Sequence, residues 1–524
     1  MFPSAANAGR RSTKNWTTLG FLFILLIVAG QVILFPLTAS LLDHNLDDFR
    51  ALGGVQYQVQ PSQRRRRRRA ADDSRTPDGT FNGGPMYLQQ LSSSVESHAH
   101  CVGETYRSEA PWQSKSCRFD FLCFNTTAHE FVLFASPEEQ RLAAWFQQIP
   151  YLHVSDSLLQ NRTTEGVSIG GINLKWGKKG IARVQWFPKI VPWERDRPLQ
   201  YYALPASTVL MPYHSLNGAN PGHLVWDDFF PLYNLLSMFQ LVEEEHELLP
   251  LRYVLQDGER GLWASCDLRE EKTKLCNMMI TKFWSLLVGK DSRFQFSTTM
   301  DATFHENTPG QSDLVCAKTG VAGIGALTDH GLRKAHGWET TDYEFLHNFG
   351  RGGLLYEFRN YMLENIGISP RQPLPKPYRV VFSQRSSDIH NRNLDFERQI
   401  ELVKQQVPEA KVENYTLKEL SVYDQLELAS QTAVFVSLCG GGSVTAMFLP
   451  KGSSALLYYA EDGGTQNGRR NYAPALLDWD LFNSMSHLRV HWIPRNSRKN
   501  VEDEQALVEM VRNELRLIDS GTFA

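Results

Sequence analysis

Along the chain the apolar and polar positions change period, and each period predicts a different element. Residues 19–35 are an uncharged, mostly apolar run that reaches residue 42 across Pro36. About 20 such residues span a bilayer core, so a transmembrane segment is expected over residues 17–42. Beyond it the apolar period is lost. Residues 43–96 hold Arg64 to Arg69 in one run, a Thr76-Pro77-Asp78-Gly79 turn and Gly83-Gly84-Pro85. Like charges repel and this composition buries no core, which predicts a flexible stem. Patterning returns near Ser97. Asn220-Pro221-Gly222 is turn chemistry that introduces a helix. In that helix Leu224, Asp228, Leu232 and Leu235 recur near helical spacing, with Pro231 expected to bend or interrupt it. Short strands are expected at 251–255 and 294–297, and a strand followed by small residues at 313–325. Residues 333–348 read as a polar surface loop, 351–366 as a helix, and the four prolines of 370–377 as a linker.

After the linker the periods alternate. Strands are expected at 378–383, 411–415, 432–438 and 454–459. A helix over 394–407 places Phe396, Ile400 and Val403 on one face. A helix over 417–430 turns Leu420, Tyr423, Leu426 and Leu428 mostly inward. A last helix over 501–518 carries Leu507, Met510, Val511, Leu515 and Ile518 on its apolar face. Strand and helix alternating at this spacing predicts right-handed crossovers and a parallel sheet. The strand 432–438 is rich in β-branched residues and has no polar face, the mark of a strand buried on both sides. Gly440, Gly441 and Gly442 follow it. Ser443 is then expected to cap a short helix through Phe448 that Pro450 and Gly452 terminate.

Composition adds the compartment. The formal net charge of the 524-residue chain is -3, which gives no reason to expect a nucleic-acid partner. Arg10, Arg11 and Lys14 precede the apolar run, while Asp43, Asp47 and Asp48 follow it. The basic flank stays in the cytoplasm, so the expected topology is type II with the remaining chain lumenal. The alternative is a signal peptide cleaved after Leu37-Thr38-Ala39. Seven cysteines fit an oxidising compartment. Cys101, Cys117 and Cys123 cluster early, Cys266 and Cys276 are close enough to pair, and Cys316 and Cys439 fall in or at the ends of buried strands. An odd count leaves at least one thiol outside an internal disulfide, and no CxxC pair suggests structural zinc. Asn125, Asn161 and Asn414 head N-glycosylation tripeptides. The arginine run is a solvated linker, or a site for a Golgi basic-site protease.

A glycine turn at the carboxyl end of a parallel strand lets backbone N–H groups approach a phosphate, and the next helix N-terminus adds a favourable dipole. The plainer alternative is a tight strand-to-helix turn that binds nothing. His223 and Asp227, four apart, share a helix face. A histidine placed by a carboxylate is a candidate general base, or else a helix-capping or core residue. Ser383-Gln384-Arg385 ends the first strand of the C-terminal half, and Arg392 lies in the loop beyond. A guanidinium matches phosphate oxygens bidentately; the alternative is a surface arginine paired with Asp388. Glu461-Asp462 also follows a strand end.

These segments resemble glycosyltransferase family 61, which includes plant xylan xylosyl- and arabinosyltransferases and the EGF-domain O-GlcNAc transferase. That family carries a strand, His-Gly-Ala-Gly, and a helix ending in Phe-Leu-Pro-Pro-Gly. Phe448-Leu449-Pro450-Lys451-Gly452 matches the end, while Cys439 stands in place of the histidine and Gly441 in place of the alanine. Asn220, Gly222, His223, Asp227 or Asp228, and Pro231-Leu232 match a second segment, Cys316 a third, and the Ser383–Arg385 stretch a fourth, displaced by one position. The resemblance implies an α/β fold of two Rossmann-like domains facing a cleft (GT-B type). The plan is then a cytoplasmic tail (1–16), anchor (17–42), stem (43–96), acceptor-side domain (97–369), nucleotide-sugar domain (370–495) and C-terminal helix (496–524).

The implied activity is inverting transfer of a sugar from a nucleotide sugar, UDP-linked, to a glycan or glycoprotein hydroxyl in the Golgi or endoplasmic reticulum. His223, Asp227 or Asp228 would take the hydroxyl proton. Arg385, Arg392, Cys439, Gly440, Gly441, Gly442 and Ser443 would hold the donor diphosphate, with Glu461 and Asp462 on donor hydroxyls. Dependence on a divalent metal is left open; Asp478-Trp479-Asp480, which resembles a metal motif of other transferases, is read as structural. The alternative function is a non-catalytic glycan-binding or scaffold protein on the same fold, suggested by Cys439.

Overall fold

Five strands, buried at the centre of their sheet and partly exposed at its edges, build the half of the molecule that carries the glycine corner. In the computed structural model they are β5 (Arg379–Gln384), β6 (Lys411–Thr416), β7 (Thr432–Leu438), β8 (Ser454–Tyr459) and β9 (Arg489–Pro494). Before them come β1 (Ser116–Asn125), β2 (Thr208–Tyr213), β3 (Glu247–Arg252) and β4 (Leu314–Gly323). The structure describes residues 88–521 apart from 91–96, 103–115, 129, 136–151, 154–166, 170–183, 193–199, 216–217, 243–245, 253–265, 267–269, 293–312, 324–351, 385–394, 460–462, 467–468, 472–475 and 495–500. The expected anchor, tail and most of the stem, the strand at 294–297, and the loop at 333–348 lie outside the described residues. Among the described residues no helix is long and apolar enough to cross a membrane.

β5 to β9 pair only in parallel, in the order β6-β5-β7-β8-β9. The chain therefore reverses its winding between β5 and β7, and ligands in such sheets bind beyond the strand carboxyl ends at that point. The carboxyl end of β7 is the glycine corner. Side chains alternate between two apolar layers. Val380, Phe382, Val434 and Val436 face α4 (Glu397–Gln406) and α7 (Val501–Asp519). Val381, Phe435, Ala455 and Leu457 face α5 (Val422–Ser430) and α6 (Leu476–Ser484). Leu507, Val508, Val511 and Leu515 keep α7 on this sheet.

The first half holds a mixed nine-stranded sheet. β4 runs parallel to β2 and antiparallel to β1, so this layer is not the purely parallel sheet of a simple Rossmann unit. Cys123 and Cys316 sit directly opposite each other on β1 and β4 and are disulfide-bonded. Cys101 pairs with Cys117, and Cys266 with Cys276 as expected. α2 (Glu270–Val288) and α3 (Gly352–Asn365) pack in the same apolar cluster as β2, α1 (residues 221–238), β7 and α6. That cluster crosses the proline linker, and residues 83–524 form one compact unit.

Two local expectations are corrected. The helix over 417–430 is two pieces, a 3₁₀ turn Leu417–Glu419 and α5, because the Ser421 hydroxyl accepts from the Asp424 N–H at 3.1 Å and starts a new helix. Tyr423, in its first turn, is exposed rather than inward. The short helix expected over Ser443–Phe448 is present, but as a 3₁₀ helix and without a Ser443 cap. Val444 and Thr445 are β-branched, and Pro450 holds Leu449 extended, so too little chain remains for α-helical bonds.

α7 is fastened to the sheet by charge. Buried Glu514 accepts hydrogen bonds from Ser454, from Arg489 and, at 3.0 Å, from His491 Nε2. Burial acts to raise its pKa, but these donors outweigh burial and hold it at about 2, below the ordinary 4.5. Its stabilisation is complete above the ordinary value and is lost as pH falls through the folded one. We expect Glu514→Gln to lower the urea midpoint by a constant amount from neutral pH to about 5. The gap to wild type then closes between 4.5 and about 2. A gap that widened on acidification would contradict the assignment.

Candidate active site

Pro231 decides the shape of the helix that carries His223. Its ring has no N–H and would strike the Asp227 carbonyl in a regular α-helix. The helix α1 begins as one turn at Pro221–His223, widens to a π-turn over Leu224–Phe229 and resumes as α over Phe230–Met238. The Phe230 N–H reaches the Val225 carbonyl, five residues back. The wide turn absorbs the proline without a break, and such turns cluster at functional sites.

At its start His223 Nδ1 lies 2.6 Å from Asp227 Oδ2, the i,i+4 pair that the spacing predicts. The Asp227 side chain is 1% exposed and the imidazole 18%, so only the ring reaches solvent. With Nδ1–H directed at the carboxylate, Nε2 is the basic nitrogen. Asp228 takes another direction. It is buried and accepts from the Ser215 hydroxyl at 2.6 Å. Burial pushes its pKa up to about 7, opposed by Ser215 and Arg252. The two adjacent carboxylates, both candidates, thus face different partners: Asp227 the imidazole, and Asp228 the internal group of Ser215 and Arg252.

The glycine corner adjoins this helix. Gly440 has φ +137°, a conformation open to glycine. A Cβ at Gly441 would stand 3.3 Å from Asn220 Oδ1 and 3.6 Å from Pro221 Cδ. Asn220 Oδ1 in turn accepts from the Gly222 N–H at 2.9 Å, capping α1. The end of β7 and the first turn of α1, far apart in the chain, therefore meet. Gly440 donates its N–H to the Ser443 hydroxyl at 3.2 Å, and that hydroxyl donates to the Gly440 carbonyl at 2.6 Å. Among the described residues the amides of Gly441 and Gly442 have no acceptor, and both are half-buried. They are the donors that the corner offers.

Three expectations for this corner change. Ser443 does not cap a helix but staples Gly440, and it is fully buried. Cys439 is the cysteine outside the three disulfides; it is 8% exposed and packs in the apolar core behind the corner. The helix dipole drops out, because a 3₁₀ turn of this length sums few peptide dipoles. Arg385, Arg392, Glu461, Asp462 and Asn161 lie outside the described residues. Asn414 is exposed on the edge strand β6, and the half-buried Asn125 accepts from the Thr127 and Ala128 N–H groups at 3.0 and 2.8 Å. Asp478 is buried in α6. Among the described residues no cluster of three or more His, Cys, Asp or Glu could hold a metal ion.

Arg359 of α3 carries no sequence signal. Its guanidinium is fully buried and donates to Asn360 Oδ1 at 2.8 Å, the Pro370 carbonyl at 2.9 Å and the Phe448 carbonyl at 3.0 Å. Burial lowers its pKa to about 10 and, with Arg359 nearby, lowers that of His487 to about 3, so the imidazole is neutral. Arg359 thereby ties the linker to the end of the glycine segment.

Comparison with known proteins agrees with the resemblance. Residues 332–456 match the family model described as Glycosyltransferase 61, a stretch that includes the glycine corner and excludes the His223 helix. The dog protein named "Protein O-linked-mannose beta-1,4-N-acetylglucosaminyltransferase 2" (Canis lupus familiaris) is 22% identical over 373 residues, covering 70% of this chain and 53% of its own. Its namesake in Mus musculus is 23% identical over 378 residues, 71% of this chain and 53% of its own. That of Danio rerio is 21% identical over 383 residues, 72% and 54%. The chain spans about half the length of these curated relatives. The matches show a segment similar to glycosyltransferase family 61 and relatives named as transferases.

Proposed function

We propose, on the premise of an α/β glycosyltransferase with a family 61 segment, that the chain moves a sugar from a UDP-sugar to a hydroxyl of a glycan or glycoprotein with inversion. The observation that carries this reading is the contact of Gly441 with Asn220 and Pro221, which sets a histidine–carboxylate pair beside two donor amides. His223 Nε2 takes the acceptor hydroxyl proton as that oxygen attacks C1 of the sugar. The bond from C1 to the diphosphate oxygen breaks, and UDP leaves with the electron pair. Asp227 holds the imidazole in the productive tautomer and stabilises its charged form. The amides of Gly441 and Gly442, with Arg385 and Arg392 from the loop after β5, receive the departing charge. Glu461 and Asp462 hold donor hydroxyls.

The two sheets form the acceptor and donor sides of a cleft. The three disulfides and the apolar run near the N-terminus support a type II protein of the Golgi or endoplasmic reticulum lumen, glycosylated at Asn125, Asn161 and Asn414. The relatives are named for a beta-1,4 transfer of N-acetylglucosamine to O-linked mannose. UDP-N-acetylglucosamine and O-mannosyl acceptors are therefore the first pair to assay. The rival, a non-catalytic glycan binder, is favoured by Cys439 but not by the intact His223–Asp227 pair.

A panel of nucleotide sugars tested by thermal shift on the lumenal part checks this reading. A ligand at 100 times its dissociation constant stabilises by about 2.7 kcal/mol. UDP or a UDP-sugar gives the shift, and Arg385→Ala removes it. No shift with any nucleotide contradicts the donor assignment; a shift without transfer or hydrolysis returns the rival.

A further inference from the structure

The carboxamide of Asn220 has two ends, and the structure accounts for one. Its Oδ1 accepts from the Gly222 N–H at 2.9 Å, which fixes which end is oxygen, since an NH₂ group there would oppose a donor. The other end, Nδ2, is a donor with no partner among the described residues. Because Oδ1 stands 3.3 Å from the position of a Gly441 Cβ, the amide group as a whole lies against the glycine corner. Glycine at 441 makes that approach possible, as a side chain there would press on Asn220. The Gly441 and Gly442 N–H groups, also without acceptors among the described residues, are on the same corner. Donors of one kind from two distant segments collect where the parallel sheet reverses its winding.

We infer that Asn220 is a donor-binding residue: its Nδ2 donates to a diphosphate oxygen of the nucleotide sugar, beside the Gly441 and Gly442 amides, while its Oδ1 caps the His223 helix. The inference rests on the UDP-sugar reading above. It makes one side chain responsible both for starting the helix that carries the base and for grasping the leaving group, which couples donor binding to the placement of His223.

The test separates the two ends of the amide. Asn220→Asp keeps an oxygen to cap Gly222 and loses the donor; Asn220→Ser keeps a neutral cap but is too short to reach the corner. UDP affinity of the full chain is measured by calorimetry alongside Tm. Wild type binds UDP, and both variants keep its Tm. UDP binding weakens at least about tenfold in Asn220→Asp, where a charge-assisted donor is lost and a negative charge added, and severalfold in Asn220→Ser. Wild-type affinity in both variants overturns the inference while leaving the UDP-sugar reading intact. Weaker binding that tracks a fall in Tm in both variants assigns Asn220 to the cap alone and also overturns it. A wild type that binds neither UDP nor a UDP-sugar overturns the inference and the reading beneath it together.

Discussion

Replacing His223 with alanine lowers kcat for sugar transfer by about 10²- to 10⁴-fold, the range for losing a positioned general base. UDP affinity changes little, because in the proposed mechanism the imidazole acts on the acceptor proton and not on the diphosphate. The expectation follows from burial: Asp227 is inside the protein, and only the ring of His223 reaches the surface beside the corner. Asp227→Asn leaves a neutral partner that cannot stabilise the imidazolium, so it also lowers kcat and keeps UDP binding. Steady-state kinetics with UDP binding measured in parallel decides. A loss confined to KM for the donor would move His223 out of the chemical step and into binding.

The second large effect is on stability. Arg359→Met keeps most of the side-chain volume but strips the donors from the Pro370 and Phe448 carbonyls. A buried cation is costly, and removing it recovers part of that cost. The Phe448 carbonyl, however, stays buried and the Pro370 carbonyl half-buried after losing this donor, at up to roughly 1–3 kcal/mol each, and this decides the sign. We expect a net destabilisation of about 3 kcal/mol in urea unfolding, with partial recovery in Arg359→Lys, which offers a point donor in place of the fork. A variant as stable as wild type would show that the carbonyls find other donors. Because Phe448 ends the segment that the glycine corner begins, weaker UDP binding should accompany the loss.

How much of this could be read beforehand differs by element. β7 and β8 were legible to the residue, since both are compact, mainly apolar runs buried along nearly their whole length. The glycine corner was legible because three consecutive glycines at a strand end mark a turn where main chain is approached closely. The pairing of His223 with Asp227 followed from helical spacing alone. Asp228 was not separable from Asp227, because the π-turn that Pro231 induces changes which side chain points where, and periodicity assumes a regular helix. The capping role expected of Ser443 failed for a related reason: the segment is too short for an α-helix, and its hydroxyl turned back on Gly440. Arg359 was invisible. A buried arginine satisfied by carbonyls leaves no pattern in its own helix, since its partners lie on the linker and after the corner. The nearness of Asn220 to Gly441 could be inferred only from the family resemblance, which holds both segments, because no local rule relates residues so far apart.

A crystal structure of residues 83–524 with UDP bound tests the central claim most directly. The account predicts the diphosphate within hydrogen-bond distance of the Gly441 and Gly442 amides, with the His223 ring facing the same crevice. UDP seated at another face of the molecule, or a corner closed by its own chain while the nucleotide binds elsewhere, would contradict it.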